Sequence, residues 1–371
     1  SGILLNIDRP TFYNNSNYLH LGNNALEQLN VINYKSTSKN ESLFDIINFT
    51  YTPMGRRFLN FNLTNPLCDY KILNDRYKKI NNLKKKKLNL SDKLKNIFDI
   101  ERFHRKISIQ TLNPCDFVNL HDSYLIILSL YEDIEDTLLR NIFTENIKLE
   151  LQSFIEYYST LFKLDEMSKY NLLDISKSFY KKNVNPDIDK YQDEINNTYK
   201  QLEDIRDLLE DFIDNKKKDY FNSFGLDKSM IQIQYNDKDK YYFILTSKRG
   251  TLVKNTLKKN KNIKYGNKTI NYEDFNFKSQ ASTMKITNTF IDSLSDKIIL
   301  ATDKLKPLVK NTYQNNLKDF YSKYKNMFLQ LNNIIAEIDF INSGYLCAIK
   351  NKYCKPIIQT DTNSFIETKL I

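Results

Sequence analysis

The sequence predicts a mainly α protein: a helical lever bundle in which two long antiparallel helices carry a small β-rich insert at their tip. Three observations predict it. Ile188, Tyr191, Ile195, Tyr199, Leu202, Ile205, Leu209 and Phe212 recur at steps of three or four, which lines them along one face of an outgoing helix. A returning arm repeats that spacing with Ile286, Phe290, Leu294 and Ile298, then Tyr313, Leu317, Phe320, Tyr324, Phe328, Leu331, Ile335 and Ile338. Between the arms the period drops to two. Ile231, Ile233 and Tyr235 alternate with Gln232 and Gln234, and a polar stretch leads into Tyr241-Tyr242-Phe243-Ile244-Leu245, the pattern of a β-hairpin. The expected division is a helical core and first part of the lever over 1–210, the insert over 211–285, the returning helix over 286–355, and a linker leading into a strand over 356–371.

Taken in order, residues 1–50 mix short apolar runs with Asn and Ser and predict only fragments of strand, turn and helix. Thr52-Pro53 then places a capping hydroxyl before a proline at the first helical position, and Pro66 stops that helix near Asn65. Asp69 caps a helix carrying Ile72, Leu73, Tyr77, Ile80 and Leu83, after which Lys84 to Lys87 reads as a solvated basic turn. Ser91 opens a helix through Leu94, Phe98 and Glu101. Asn113-Pro114 begins one with Phe117, Leu120, Tyr124, Leu128 and Tyr131, and Thr144 precedes one with Ile147, Leu151, Ile155, Tyr158 and Phe162. Asn185-Pro186 starts the outgoing arm. In the insert, Arg249-Gly250 ends the hairpin and one more short strand is expected between 267 and 277. Pro307, with no N–H to donate, should kink or interrupt the returning arm. Seven glycines and seven prolines in 371 residues suit long helices.

Few residue patterns support catalysis. Cys68, Cys115, Cys347 and Cys354 form no CxxC pair, so neither a disulfide framework nor a zinc site is expected, and a reducing intracellular compartment fits. Nucleus, cytoplasm, organelle and virus factory stay equally open. Cys347 and Cys354, two helical turns apart, are expected on one helix face. No run of about 18 apolar residues marks a membrane span. His20, His104 and His121 lack metal-like partners and read as core or surface residues. His121-Asp122-Ser123 holds the residue types of a triad, but adjacent residues on a helix point in different directions. Glu101 with Arg102 reads as a helix-face ion pair. No clustered acidic site suggests a nuclease.

Charge is concentrated. Between Ser247 and Lys285 stand ten basic residues, Lys248, Arg249, Lys254, Lys258, Lys259, Lys261, Lys264, Lys268, Lys278 and Lys285, against Glu273 and Asp274. That is a net +8 of the chain's +10, within 39 residues. Lysine-rich composition would spread such charge, so these ten are the candidate site, suited to the phosphate backbone of nucleic acid. Tyr241, Tyr242 and Phe243 could stack on bases, although their alternation suits packing in a small core.

Thr52-Pro53-Met54-Gly55-Arg56-Arg57, followed by Leu63, Asn65-Pro66-Leu67, Asp69, Leu73 and Arg76, resembles the MutS family of DNA mismatch-repair proteins. Asp99-Ile100-Glu101-Arg102 resembles the family's D-L-E-R segment, Tyr241-Tyr242-Phe243-Ile244 its clamp hairpin, and Ala336-Glu337-Ile338-Asp339 its A-E-L-D. The four segments keep the family's order over nearly the whole chain. Asn62 stands where the family carries Trp and Lys240 where it carries Gly, which marks a divergent member. Phe365-Ile366-Glu367-Thr368 resembles the strand that precedes the family's ATPase domain.

The resemblance implies a lever and clamp that hold double-stranded DNA by its backbone and relay ATP-driven motion within a dimeric parent; the fragment alone is expected to be monomeric. It also implies that the Phe-x-Glu mismatch reader, and the ATP and Mg site, lie outside these residues. No two glycines frame a G-x-x-x-x-G-K-S/T loop, so the chain itself is expected to be no enzyme and to bind no cofactor. The competing expectation is a helical scaffold whose basic tip docks an acidic protein or an anionic membrane.

Overall fold

The computed structural model describes residues 18–19, 21–22, 24–32, 42–213, 230–266, 268–358 and 367. Helix α1 spans Pro53–Thr64, α2 Tyr70–Lys86, α3 Ile100–Ser108, α4 Pro114–Asp133, α5 Glu145–Leu161, α6 Pro186–Glu210, α7 Ser247–Asn260 and α8 Thr289–Lys350. Strands are β1 Gln232–Asn236, β2 Lys240–Thr246, β3 Asn262–Tyr265, β4 Lys268–Asn271, β5 Phe275–Ser279 and β6 Thr283–Asn288. The protein is thus mainly helical with a small antiparallel β-rich insert. Two compact units divide the chain: Ser1–Thr160 with Met167–Lys169 and Asn315–Ile371, and Leu161–Glu166 with Tyr170–Gln314.

In the first unit, helix starts follow local chemistry. The Thr52 hydroxyl accepts the Gly55 N–H at 2.9 Å, and Asp69 accepts those of Lys71 and Ile72. Asp99 accepts the N–H of Arg102 and so begins α3. That cap corrects one expectation: the helix opened by Ser91 ends at Leu94, and a turn separates it from α3. Lys84 to Lys86 form the last turn of α2, where cations face the helix's partial negative end; Lys87 closes it at φ +53°. Glu101 pairs with Arg57 instead of Arg102. Cys347 is buried in α8 while Cys354 lies exposed beyond the helix's end, so the two do not share a helix face.

The core of this unit is aromatic. Phe154 of α5 meets Phe320, Tyr324 and Phe328 of α8 at ring separations of 5.3, 4.6 and 5.3 Å, and Phe117 of α4 meets Tyr158 edge-on at 5.0 Å. His121 and Ser123 have structural partners: His121 Nδ1 lies 2.7 Å from the Tyr158 hydroxyl, and Ser123 Oγ donates to the Asn119 carbonyl.

Two buried polar groups pin α8 within this unit. Asp339 is fully buried. One of its oxygens accepts the Thr52 N–H at 2.7 Å and the Thr52 hydroxyl at 2.8 Å, and both lie near the Tyr51 N–H. Burial pushes its carboxyl up, against the pull of those donors. A Cβ on Gly55 would sit 2.2 Å from Asp339 Oδ2, so glycine here admits the carboxylate. Further along, His104 is buried with Nδ1 2.8 Å from Asn332 Oδ1 and Nε2 2.7 Å from the Tyr124 hydroxyl. Its ring stacks on Phe328 at 4.3 Å.

In the second unit α6 and the start of α8 share a hydrophobic core with the insert. Lys304 Nζ lies 5.9 Å from the Tyr191 ring, whereas Ile291 and Leu294 share a core with Ile205 and Leu209; α6 and the start of α8 therefore run in opposite directions. The main sheet has the order β1-β2-β6-β5, all antiparallel, and β3-β4 form a separate hairpin. Ile286, expected in the returning helix, belongs to β6 opposite Phe243. Pro307 does not interrupt α8. The buried Leu305 and Val309 on either side hold the helix in place across the missing hydrogen bond.

Removing the Asp339 carboxylate strands three donors. Asp339→Ala is expected to cost about 2–5 kcal/mol, and Gly55→Ala to destabilise as well, both read by urea unfolding. Burial pushes the pKa of His104 down to about 3, while the unfolded chain protonates near 6.5. Its contribution is complete above pH 6.5 and is lost as pH falls towards 3. At pH 5 the loss is about 2 kcal/mol, and His104→Gln is expected to flatten the difference in unfolding free energy between pH 7 and pH 5.

Candidate nucleic-acid interface

The insert builds its basic surface on an element the sequence reading did not foresee. Ser247–Asn260, expected to leave the hairpin at Arg249-Gly250, is helix α7. Its signal is present in hindsight: Gly250, Val253 and Leu257 are spaced at three and four, and all three are buried. The α7 backbone lies close over β6, since a Cβ on Gly250 would stand 2.6 Å from Met284 Cβ. Val253 and Leu257 join Phe243, Leu245, Met284 and Ile286 in the core.

Burying that stripe forces the rest of α7 outward. Lys248, Lys254, Lys258 and Lys259 are exposed along it, and Arg249 is half-buried. Lys261 ends the helix in a left-handed conformation at φ +63°. Lys264 on β3, Lys268 on β4 and Lys278 on β5 are also exposed; Lys268 Nζ stands 4.4 Å from the Phe290 ring centre. None of these nine exposed or half-exposed cations makes an ion pair among the described residues, where the insert's pairs are Lys240–Asp296 and Lys285–Asp239.

Lys285 stands apart from the other nine. It is 5% exposed, its ammonium pairs with Asp239, and it sits 3.8 Å from the Tyr242 ring centre. The hydrogen bond from Lys285 holds the Asp239 carboxyl below its usual range, with Lys278 adding to the effect. Lys278 is the direct cross-strand neighbour of Lys285, and Asp239 offsets the like-charge contact between them. Lys285 is therefore engaged within the insert, paired and covered, where the other nine face outward or half outward. Phe243 is wholly buried and Tyr241 and Tyr242 partly so, which leaves the aromatic run in packing roles. Among the described residues, no group of three or more His, Cys, Asp or Glu is arranged to hold a metal ion. No described helix is long and apolar enough to cross a membrane.

A family model described as MutS domain III matches residues 24–344. A DNA mismatch repair protein mutS homologue of Acanthamoeba polyphaga mimivirus is 32% identical over 390 residues, covering 99% of this chain and 34% of its own. A mitochondrial DNA mismatch repair protein mutS homologue of Sarcophyton glaucum is 28% identical, covering 98% and 36%. DNA mismatch repair protein MutS of Thermotoga petrophila is 25% identical, covering 95% and 40%. The chain thus spans little more than a third of the length of these relatives.

The seat of α7 is testable without touching a charge. On an exposed helix Gly→Ala gains about 1 kcal/mol; at Gly250 it is expected instead to cost about 1–3 kcal/mol through overpacking against Met284. Urea unfolding gives the sign, and faster amide exchange in α7 is the local readout.

Proposed function

The chain belongs to the MutS family, and on that premise we propose that it is a DNA-binding lever-and-clamp module acting in mismatch repair or recombination. In this reading the insert is the clamp. The outward face of α7, with Lys261, Lys264 and Lys268 beside it, contacts the phosphate backbone of duplex DNA. Flexible ammonium groups on a rigid helix release counterions from phosphates whatever the sequence and carry little information about base identity. The module performs no ATP chemistry of its own; it relays motion driven by ATP and Mg in a dimeric parent.

One observation carries the reading. In the first unit Arg57, Lys79, Lys93 and Lys106 are matched to carboxylates, while Lys84, Lys85, Lys86, Arg102 and Arg105 stand exposed and unpaired among the described residues. The insert differs in gathering eight unpaired cations on one helix and the hairpin beside it. On α7, four exposed lysines go unmatched. Holding like charges together lowers stability unless an external anion compensates, and a regularly charged polyanion is the anion that suits a helix-long array.

The test replaces Lys248, Lys254, Lys258 and Lys259 together with Gln and measures duplex affinity across a salt series. The expected result is weaker binding by a similar factor on every DNA sequence, with a salt slope shallower by up to about 3.6 if all four contact phosphates. Unchanged affinity and slope would remove α7 from DNA binding. Equal competition by anionic vesicles would favour a general anionic surface over DNA.

A further inference from the structure

The first unit holds a second cationic surface, separate from the insert. Arg57 donates from Nη1 and Nη2 to Asp99 at 3.0 and 2.8 Å, and from Nε to Glu101 at 3.0 Å. Asp99 is also the cap of α3. Burial works against its charge, but Arg57 and the Arg102 N–H prevail and hold its carboxyl low. These two carboxylates are thus committed to Arg57. They line one side of an open cleft of about 530 Å³ whose other residues include Arg102, Arg105, Tyr321, Lys325 and Leu329.

Arg102 and Arg105 are exposed and lie three apart on α3, which places them on neighbouring ridges of one helix face. Lys325 and Leu329 flank Phe328, whose ring stacks on His104 between the two arginines in sequence. The cleft floor is therefore rigid: the His104–Phe328 stack is buried, and both histidine nitrogens are hydrogen-bonded. Arg102, Arg105 and Lys325 make no ion pair among the described residues, where the ion pairs at this cleft are those of Arg57.

The chemistry of the surface selects its ligand. Guanidinium forks take carboxylates and phosphates alike, and the backbone N–H groups at the start of α3, which could add to a phosphate site, are already capped by Asp99. Beside the two forks stand Tyr321 and Leu329, the latter with 59% of its surface exposed, and an exposed apolar side chain suits a peptide ligand over a bare phosphate. Arginine and tyrosine around an apolar contact are the residue types enriched at protein interfaces. We propose that this cleft docks an acidic segment of a partner protein, its carboxylates on Arg102, Arg105 and Lys325 and an apolar side chain against Leu329. The site is independent of DNA binding by α7.

The test uses the full chain and a fluorescein-labelled decapeptide of Glu and Leu residues, read by anisotropy. Arg102→Glu/Arg105→Glu is expected to weaken peptide binding at least about tenfold, the loss of one or more charge-assisted contacts. Arg102→Lys/Arg105→Lys is expected to bind better than the reversal, and the four-lysine α7 variant within about twofold of the parent chain. Both arginine variants are checked for unchanged thermal unfolding. Absence of peptide binding up to about millimolar concentration would overturn the proposal. Loss in the α7 variant with none in the arginine variants would assign the peptide to the insert. Duplex DNA binding that falls in the arginine variants, with peptide binding intact, would make the cleft a nucleic-acid surface instead.

Discussion

A single buried carboxylate ties together the two ends of the first unit's sequence. Asp339 stands near the C-terminal end of α8, yet its hydrogen bonds reach the start of α1 nearly 290 residues earlier. An ionised group in that position is costly unless its lone pairs are filled, and here two backbone N–H groups and one hydroxyl fill them. The bond also explains why Thr52, Pro53 and Gly55 occur together. Thr52 donates to Asp339 while capping α1, Pro53 needs no N–H partner at the helix start, and Gly55 leaves room for the carboxylate. The sequence segments that mark the family at both ends of the chain are two halves of one contact.

Most of the helical frame was legible because local chemistry and hydrophobic spacing agree there. Thr52, Asp69, Asn113 and Asn185 each precede a helix start, and the returning stripe from Tyr313 to Ile338 is buried throughout. The structure departs from local expectation where a tertiary partner decides. Arg249-Gly250 looks like a turn, but Gly250 is there to let α7 approach Met284. Glu101 could pair along its own helix, yet Arg57 offers a fork that also takes Asp99. Pro307, expected to kink or interrupt the returning arm, lies within a helix that continues past it, with Leu305 and Val309 buried on either side.

The charge was legible in amount and not in arrangement. Ten basic residues in one stretch look alike in a sequence, but pleat and helix sort them. On β6, Lys285 is held by Asp239 and covered by the Tyr242 ring while its cross-strand neighbour Lys278 stays exposed, whereas the stripe of Gly250, Val253 and Leu257 turns the α7 lysines out. Elsewhere Lys79, Lys93 and Lys106 are matched to carboxylates. The distinction between a lysine that stabilises the fold and one free for a ligand rests on these partners and on no feature of composition.

We propose that the unpaired lysines of the insert hold a phosphate backbone without reading its sequence. The most direct measurement is the affinity of the intact chain for a matched and a mismatched duplex as ionic strength is raised. The account predicts that log affinity falls linearly with log salt, at about −0.9 per phosphate contacted, on superimposable lines for the two duplexes. Affinity that ignores salt, or lines separated by the mismatch, would contradict it.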